Sequence, residues 1–145
     1  MEVKGAKILV TGGSDGYGRG IAKVLKNAGA EVWITGRSAE KLKTAAKELD
    51  VHAISADASS GADWDRVVRE VPDLDVLVNN AGFGGRIVPV AEQSDEDIFR
   101  TIGTTLTGVI LGCRRYARIM SERRRGVIIN ISSVCALYAW PAWSV

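Results

Sequence analysis

Cysteine and histidine are scarce in this chain. The two cysteines, Cys113 and Cys135, show no metal-binding or redox spacing. They read as free, mostly buried thiols of a reducing, cytoplasmic protein. The single histidine, His52, falls in an apolar stretch and reads as structural, and no metal site is expected. An excess of one charge is also missing. The 19 Lys and Arg against 17 Asp and Glu give a net charge of +2, which points away from nucleic acid or an anionic membrane as the main partner. No apolar run is long enough to span a bilayer. The opening Met1-Glu2-Val3-Lys4-Gly5 has no signal-peptide pattern. Repeats, low-complexity tracts and linkers are absent, and 145 residues fit one domain, 1–145.

What remains is an alternation of short apolar runs and amphipathic stretches. Strands are expected at Lys7–Thr11, 31–35, His52–Ser55, 76–78 and 127–131, with helices at 17–27, Ala39–Leu49, 63–70 and 95–121. Ser38 reads as an N-cap, and Ser94 opens the long helix with acids in its first turn. The one substantial loop, 83–90, carries Gly84-Gly85, a pair that favours mobility. Repeated strand–helix–strand units imply an α/β fold, a doubly wound parallel sheet with helices on both faces.

Five places on this frame carry chemistry. Thr11-Gly12-Gly13-Ser14-Asp15-Gly16-Tyr17-Gly18 joins the first strand to the first helix. Glycines there let backbone N–H groups approach a pyrophosphate at the helix's positive end, although the same turn also serves without a ligand. Gly36-Arg37 follows the second strand. A carboxylate at that point would repel a ribose 2′-phosphate, whereas Arg37 can pair with one or stand solvated at the start of a helix. Asp57 follows the third strand, either facing a ligand or capping its own turn. Asn79-Asn80-Ala81-Gly82 follows the fourth strand and Ser132-Ser133 the fifth. The two serines either reach a substrate or satisfy strand-end backbone.

Together these residues resemble the short-chain dehydrogenase/reductase family, whose glycine fingerprint is met by Thr11, Gly12, Gly16 and Gly18, and whose second signature is met by Asn79-Asn80-Ala81-Gly82. The resemblance implies a Rossmann-type sheet, truncated after the fifth strand, and an oxidoreductase that moves hydride between a nicotinamide cofactor and a small carbonyl or secondary alcohol. It assigns cofactor binding to Gly12, Ser14, Gly16, Tyr17, Gly18, Arg37, Asp57, Ala58, Asn80, Ala81 and Gly82. Asp57 would face the adenine edge. Arg37 implies NADP(H) rather than NAD(H), while Asp15, where many NADP-preferring members carry a basic residue, opposes that preference. The catalytic serine aligns with Ser133. The family's helix asparagine aligns with Thr105, which has no amide carbonyl to offer a relay water. A dimer or tetramer, built partly through the long helix, is also implied.

One family element is missing. The Tyr-x-x-x-Lys acid–base pair would begin thirteen residues after Ser133, one position beyond Val145, and the residue four after Tyr138 is Ala142. From 126 to 145 there is no charged side chain, and Leu137, Tyr138, Trp140 and Trp143 crowd the segment, an apolar surface of the kind that has a partner. The expectation is an N-terminal portion of such an enzyme, inactive alone. A cofactor-binding or redox-sensing subunit without catalysis, or a non-functional truncation product, are the alternatives. The arginines at 114, 115, 118, 123, 124 and 125 are expected on a solvated helix face.

Overall fold

The computed structural model describes residues 2–143, so the last two positions of the uncharged tail lie outside it. Five strands, β1 (Lys7–Thr11), β2 (Glu31–Gly36), β3 (His52–Ser55), β4 (Val76–Asn79) and β5 (Val127–Asn130), pair in the order β3-β2-β1-β4-β5. Every pairing is parallel, with Leu9 between Trp33 and Leu77, and Leu77 opposite Ile128. The helices are α1 (Gly16–Asn27), α2 (Ala39–Leu49), α3 (Gly61–Glu70), α4 (Asp95–Ile102) and α5 (Gly108–Glu122).

Alternate residues of the sheet serve opposite faces. Ile8, Val10, Val32, Ile34, Val76 and Val78 pack with Ala22 of α1 and with Leu42 and Ala45 of α2. Leu9, Ile54 and Leu77 pack with Trp64 and Val67 of α3 and with Tyr116 and Met120 of α5. Each fully buried large apolar side chain stabilises the fold by about 1.5–3 kcal/mol. Tyr116 is wholly buried, and its hydroxyl donates to the Val71 carbonyl at 3.1 Å. Burial, reinforced by the Asp73 charge, pushes its phenol well above the ordinary tyrosine range.

Side chains start the helices. Asp15 accepts from Gly16 N at 2.8 Å, Ser60 from Asp63 N at 3.2 Å and Ser94 from Asp97 N at 3.1 Å, each worth about 1 kcal/mol. The Ser60 cap starts α3 two residues before the expected position 63. The long helix is not continuous as expected. A π-helical turn, Gly103–Thr107, separates α4 from α5, and the N–H of Gly108 donates back to the Gly103 carbonyl. Gly103 and the three threonines of this segment are weak helix formers, and π turns of this kind concentrate at functional sites.

Two other expectations are corrected. The basic cluster is not simply solvated: Arg123 and Arg125 reach Asp75 at 3.3 and 3.1 Å, and Arg115 reaches Asp65 at 2.8 Å. Asp75 is 5% exposed, so this carboxylate needs those cations to be tolerated inside. Cys135 is exposed rather than buried, while Cys113 is half-buried, and both are free. His52 stacks on Trp33 with ring centroids 4.7 Å apart, beside Glu31.

Apolar surface remains on β5. Val127 and Ile129 lie opposite Val76 and Val78 on the α1–α2 side of the sheet, yet they are 42% and 44% exposed. Phe99, Ile102, Leu106 and Ile110, at helical spacing along α4 to α5, are also exposed.

Candidate functional site

Because all five strands run parallel, their C-terminal ends share one edge, where segment 12–18, Arg37, Asp57 with Ala58, segment 80–82 and Ser133 follow successive strands. The winding reverses at β1, between β2 and β4, which opens a crevice at that point.

The floor of the crevice is built around Thr11, 2% exposed at the end of β1. Its Oγ1 accepts the N–H groups of Asn80 and Ala81, both at 2.9 Å, and donates to the Val78 carbonyl at 3.4 Å. The Asn80 side-chain amide donates to the Thr11 carbonyl at 2.9 Å. The two turns could not come this close with side chains on the glycines. Gly12 has φ +66°, and a Cβ there would lie 3.0 Å from Ala81 Cα. A Cβ on Gly18 would lie 2.3 Å from the Gly12 carbonyl oxygen and 2.4 Å from Asn80 Nδ2. Asn79, buried, donates to Asn130 Oδ1 at 2.9 Å and so ties β4 to β5. Above this floor the space is open. Nothing lies within 4 Å of a Cβ built on Gly16, and Tyr17 is 88% exposed. Ser14 lies against Gly36, where a Cβ would be 3.1 Å from Ser14 Oγ, so the ends of β1 and β2 also meet closely.

Arg37 is exposed, and among the described residues no carboxylate lies within 4 Å of its guanidinium. The Asp57 Oδ1 accepts from Ser59 N at 2.8 Å and Ser59 Oγ at 2.7 Å. It therefore caps its own turn, with Oδ2 outside that motif. Burial raises the Asp57 pKa, but the Ser59 hydrogen bonds, Arg37 and Arg100 outweigh it and hold the carboxyl below its ordinary value. Asp57 is thus an acceptor at neutral pH. The Ala58 carbonyl accepts from Trp64 Nε1 at 2.8 Å. Asp15 is occupied locally, capping α1 through Oδ1 with Lys41 Nζ 3.8 Å from Oδ2.

Ser133 and Thr105 are both exposed and each makes a local bond. Ser133 Oγ accepts from Cys135 N at 3.2 Å. Thr105 Oγ1 donates to the Thr101 carbonyl at 2.6 Å, so its proton is spent on the helix. No hydrogen bond among the described residues joins the two. Residue types and spacing marked the glycines but not the Thr11 hydroxyl as the junction of the two turns. They also missed Arg100, whose Cζ stands 4.1 Å from the centroid of the Phe83 ring. That pairing joins α4 to a loop and leaves no periodic trace. Two shallow concavities of about 520 and 450 Å³ open at the opposite end of the sheet, around Lys4, Arg124 and Arg125.

Among the described residues no helix is long and apolar enough to cross a membrane, and no group of three or more His, Cys, Asp or Glu is placed to hold a metal ion.

Residues 6–145 match the sequence family described as short chain dehydrogenase. A gluconate 5-dehydrogenase of Gluconobacter oxydans (strain 621H) is 36% identical over 97% of this chain and 58% of its own length. The NADP-dependent 3-hydroxy acid dehydrogenase YdfG of Salmonella typhi is 36% identical over 92% of this chain and 56% of its own. The closed form of a serine dehydrogenase complexed with NADP+ superposes with a TM-score of 0.89 at 30% identity, over 94% of this chain and 57% of that one. The chain thus spans a little over half the length of these proteins.

Proposed function

Because the chain belongs to the short chain dehydrogenase family, we propose that its strand-end crevice holds NADP(H) in a protein that exchanges hydride with a small carbonyl or secondary alcohol. The residues present fit such a group. The glycine turn leaves open space over Gly16, the N-terminus of α1 favours a pyrophosphate, and Asp57 is an acceptor available to an amino group. When bound, the nicotinamide supplies or takes the hydride.

The observation that carries the NADP(H) preference is Arg37, an exposed guanidinium without an ion-pair partner among the described residues, placed directly after Gly36. A charge-assisted pair with a 2′-phosphate is the interaction open to it. Ser133 orients a substrate oxygen, since its own hydroxyl proton is not spent in accepting from Cys135 N. Thr105 offers lone pairs only, because its proton is held by Thr101. The general acid–base step needs a tyrosine and lysine that residues 134–145 do not contain as a pair. We place that pair after Val145, the protein in the cytoplasm, and the assembled enzyme in a dimer or tetramer.

Fluorescence titration of the chain with NADPH and NADH tests this. NADPH should bind more tightly, and Arg37→Ala should cost about 1.5–3 kcal/mol for NADPH while leaving NADH unchanged. Equal affinities, or no loss in the variant, would refute the preference.

A further inference from the structure

Arg37 is not the only uncommitted guanidinium at this edge. Arg100, exposed on α4, also has no carboxylate within 4 Å among the described residues, whereas Arg86 pairs with Asp97 and Arg115 with Asp65. Arg100 lies instead on the face of Phe83, 4.1 Å from the ring centroid. Phe83 is the residue after Gly82, so the pair stands where the Asn80–Ala81 turn leaves the crevice floor.

Packing brings the π turn that follows α4, and the start of α5, between two site loops. A Cβ on Gly82 would be 4.0 Å from Thr105 Cγ2, and one on Gly103 would be 3.5 Å from Ser59 Cβ. One on Gly108 would be 2.8 Å from the Ala58 carbonyl oxygen. Segment 103–108, directly after α4, is therefore seated against segments 57–59 and 80–82 together. Arg100 and Arg37, from two different elements, both act electrostatically on Asp57.

A guanidinium is planar. When one face lies on an aromatic ring, the other can stack on a heterocyclic base. Phe83 removes much of the freedom of the long Arg100 side chain, so the plane is set in place before a ligand arrives. Charge alone would be served by any lysine, whereas a planar guanidinium can also stack.

We propose that Arg100, held over the Phe83 ring, is a wall of the subsite for the purine base of the dinucleotide, and that it sets affinity whether or not the ribose carries a 2′-phosphate. This rests on the cofactor reading above, but it divides the labour differently: Arg37 discriminates between the two cofactors, and Arg100 with Phe83 strengthens both.

The test is titration of the full chain and four variants, Arg37→Ala, Arg100→Gln, Arg100→Lys and Phe83→Leu, with NADPH, NADH and 5′-AMP. Arg100→Gln and Phe83→Leu should each weaken all three ligands roughly three- to thirtyfold, with the NADPH-to-NADH ratio unchanged. Arg100→Lys, which keeps the charge without the plane, should lose as much as Arg100→Gln. Arg37→Ala should instead collapse the ratio and spare NADH and 5′-AMP. Unchanged affinities in Arg100→Gln, full affinity in Arg100→Lys, or a loss confined to NADPH would overturn the wall, even with Arg37→Ala behaving as stated. A wild-type chain that binds both cofactors equally, with Arg37→Ala silent, overturns the NADP(H) reading and leaves the wall standing if Arg100→Gln weakens both. Binding of none of the three ligands overturns both. Arg100 is exposed, so its variants carry the test should Phe83→Leu fail to fold.

Discussion

Asn80 grips Thr11 twice: its backbone N–H donates to Thr11 Oγ1 and its side-chain amide to the Thr11 carbonyl, each at 2.9 Å. This joins the end of β1 to the turn after β4 at the point where the winding of the sheet reverses. Thr11→Val keeps the shape and removes the hydroxyl, leaving the Asn80 and Ala81 N–H groups short of their acceptor. A buried donor left unmatched costs about 1–3 kcal/mol. Urea denaturation should show a loss of that size, together with weaker NADPH binding. A variant as stable as the parent would show that the hydroxyl does not hold the turns together.

Asp75 supports the opposite end of the sheet. It accepts from Lys7 N at 3.1 Å and faces Arg123 and Arg125, while being only 5% exposed. Asp75→Ala removes the acceptor of Lys7 N and the partner of both guanidiniums, which are themselves partly exposed, and losing a charged hydrogen-bonding group of this kind costs about 1.5–3 kcal/mol. The same denaturation experiment should find Asp75→Ala among the most damaging single changes, with little effect on cofactor preference because the site is at the other end. A loss below about 1 kcal/mol would mean the pairs are solvated.

Acid should weaken the fold. Lys26 beside Asp50, Arg115 beside Asp65 and Lys7 beside Asp73 hold those carboxyls below the ordinary range, as the Ser59 bonds do for Asp57. Each folded value lies under the unfolded one of about 3.9. Protons therefore bind the unfolded chain more tightly. The stability from these groups is present above about pH 4 and is lost as pH falls through their folded values. Urea midpoints at pH 7, 4 and 3 should decline through the last two. A midpoint constant down to pH 3 would contradict the assignment of these pairs.

The outer edge of β5 should drive self-association. Val127 and Ile129, with Ile131 just after the strand, are 42%, 44% and 46% exposed and uncharged, and among the described residues β5 is paired on one side only, the kind of edge that recruits other chains. Light scattering after size exclusion should find the chain associated, and Ile129→Lys should reduce the apparent mass. A monodisperse monomer for the parent would remove the reason for the variant.

Most of the frame was legible because strand alternation and helix caps are local. Ile8 and Val10 against Leu9 already divide into two faces, and the Ser38 and Ser94 caps mark helix starts. The break at Gly103–Thr107 was not legible. Its weak helix formers sit inside a longer amphipathic pattern, and only packing against Ala58 gives them a reason to widen the turn. Asp75 reads as an acid flanking a strand until the fold buries it and brings Arg123 and Arg125 across. In the site, glycine spacing located the turn, but the Thr11–Asn80 bonds and the Arg100–Phe83 contact join residues far apart in sequence. Asp57 was readable two ways, and the fold shows it capping its own turn through Ser59.

The claim on which the rest depends is that the two turns joined by Thr11 hold the dinucleotide. Amide hydrogen exchange of the full chain with and without saturating NADPH tests it most directly. Exchange should slow in residues 12–18 and 80–82, extending to Arg37 and to residues 57–58, with no change around Lys4, Arg124 and Arg125. Protection at that opposite end, or none at the two turns, would contradict it.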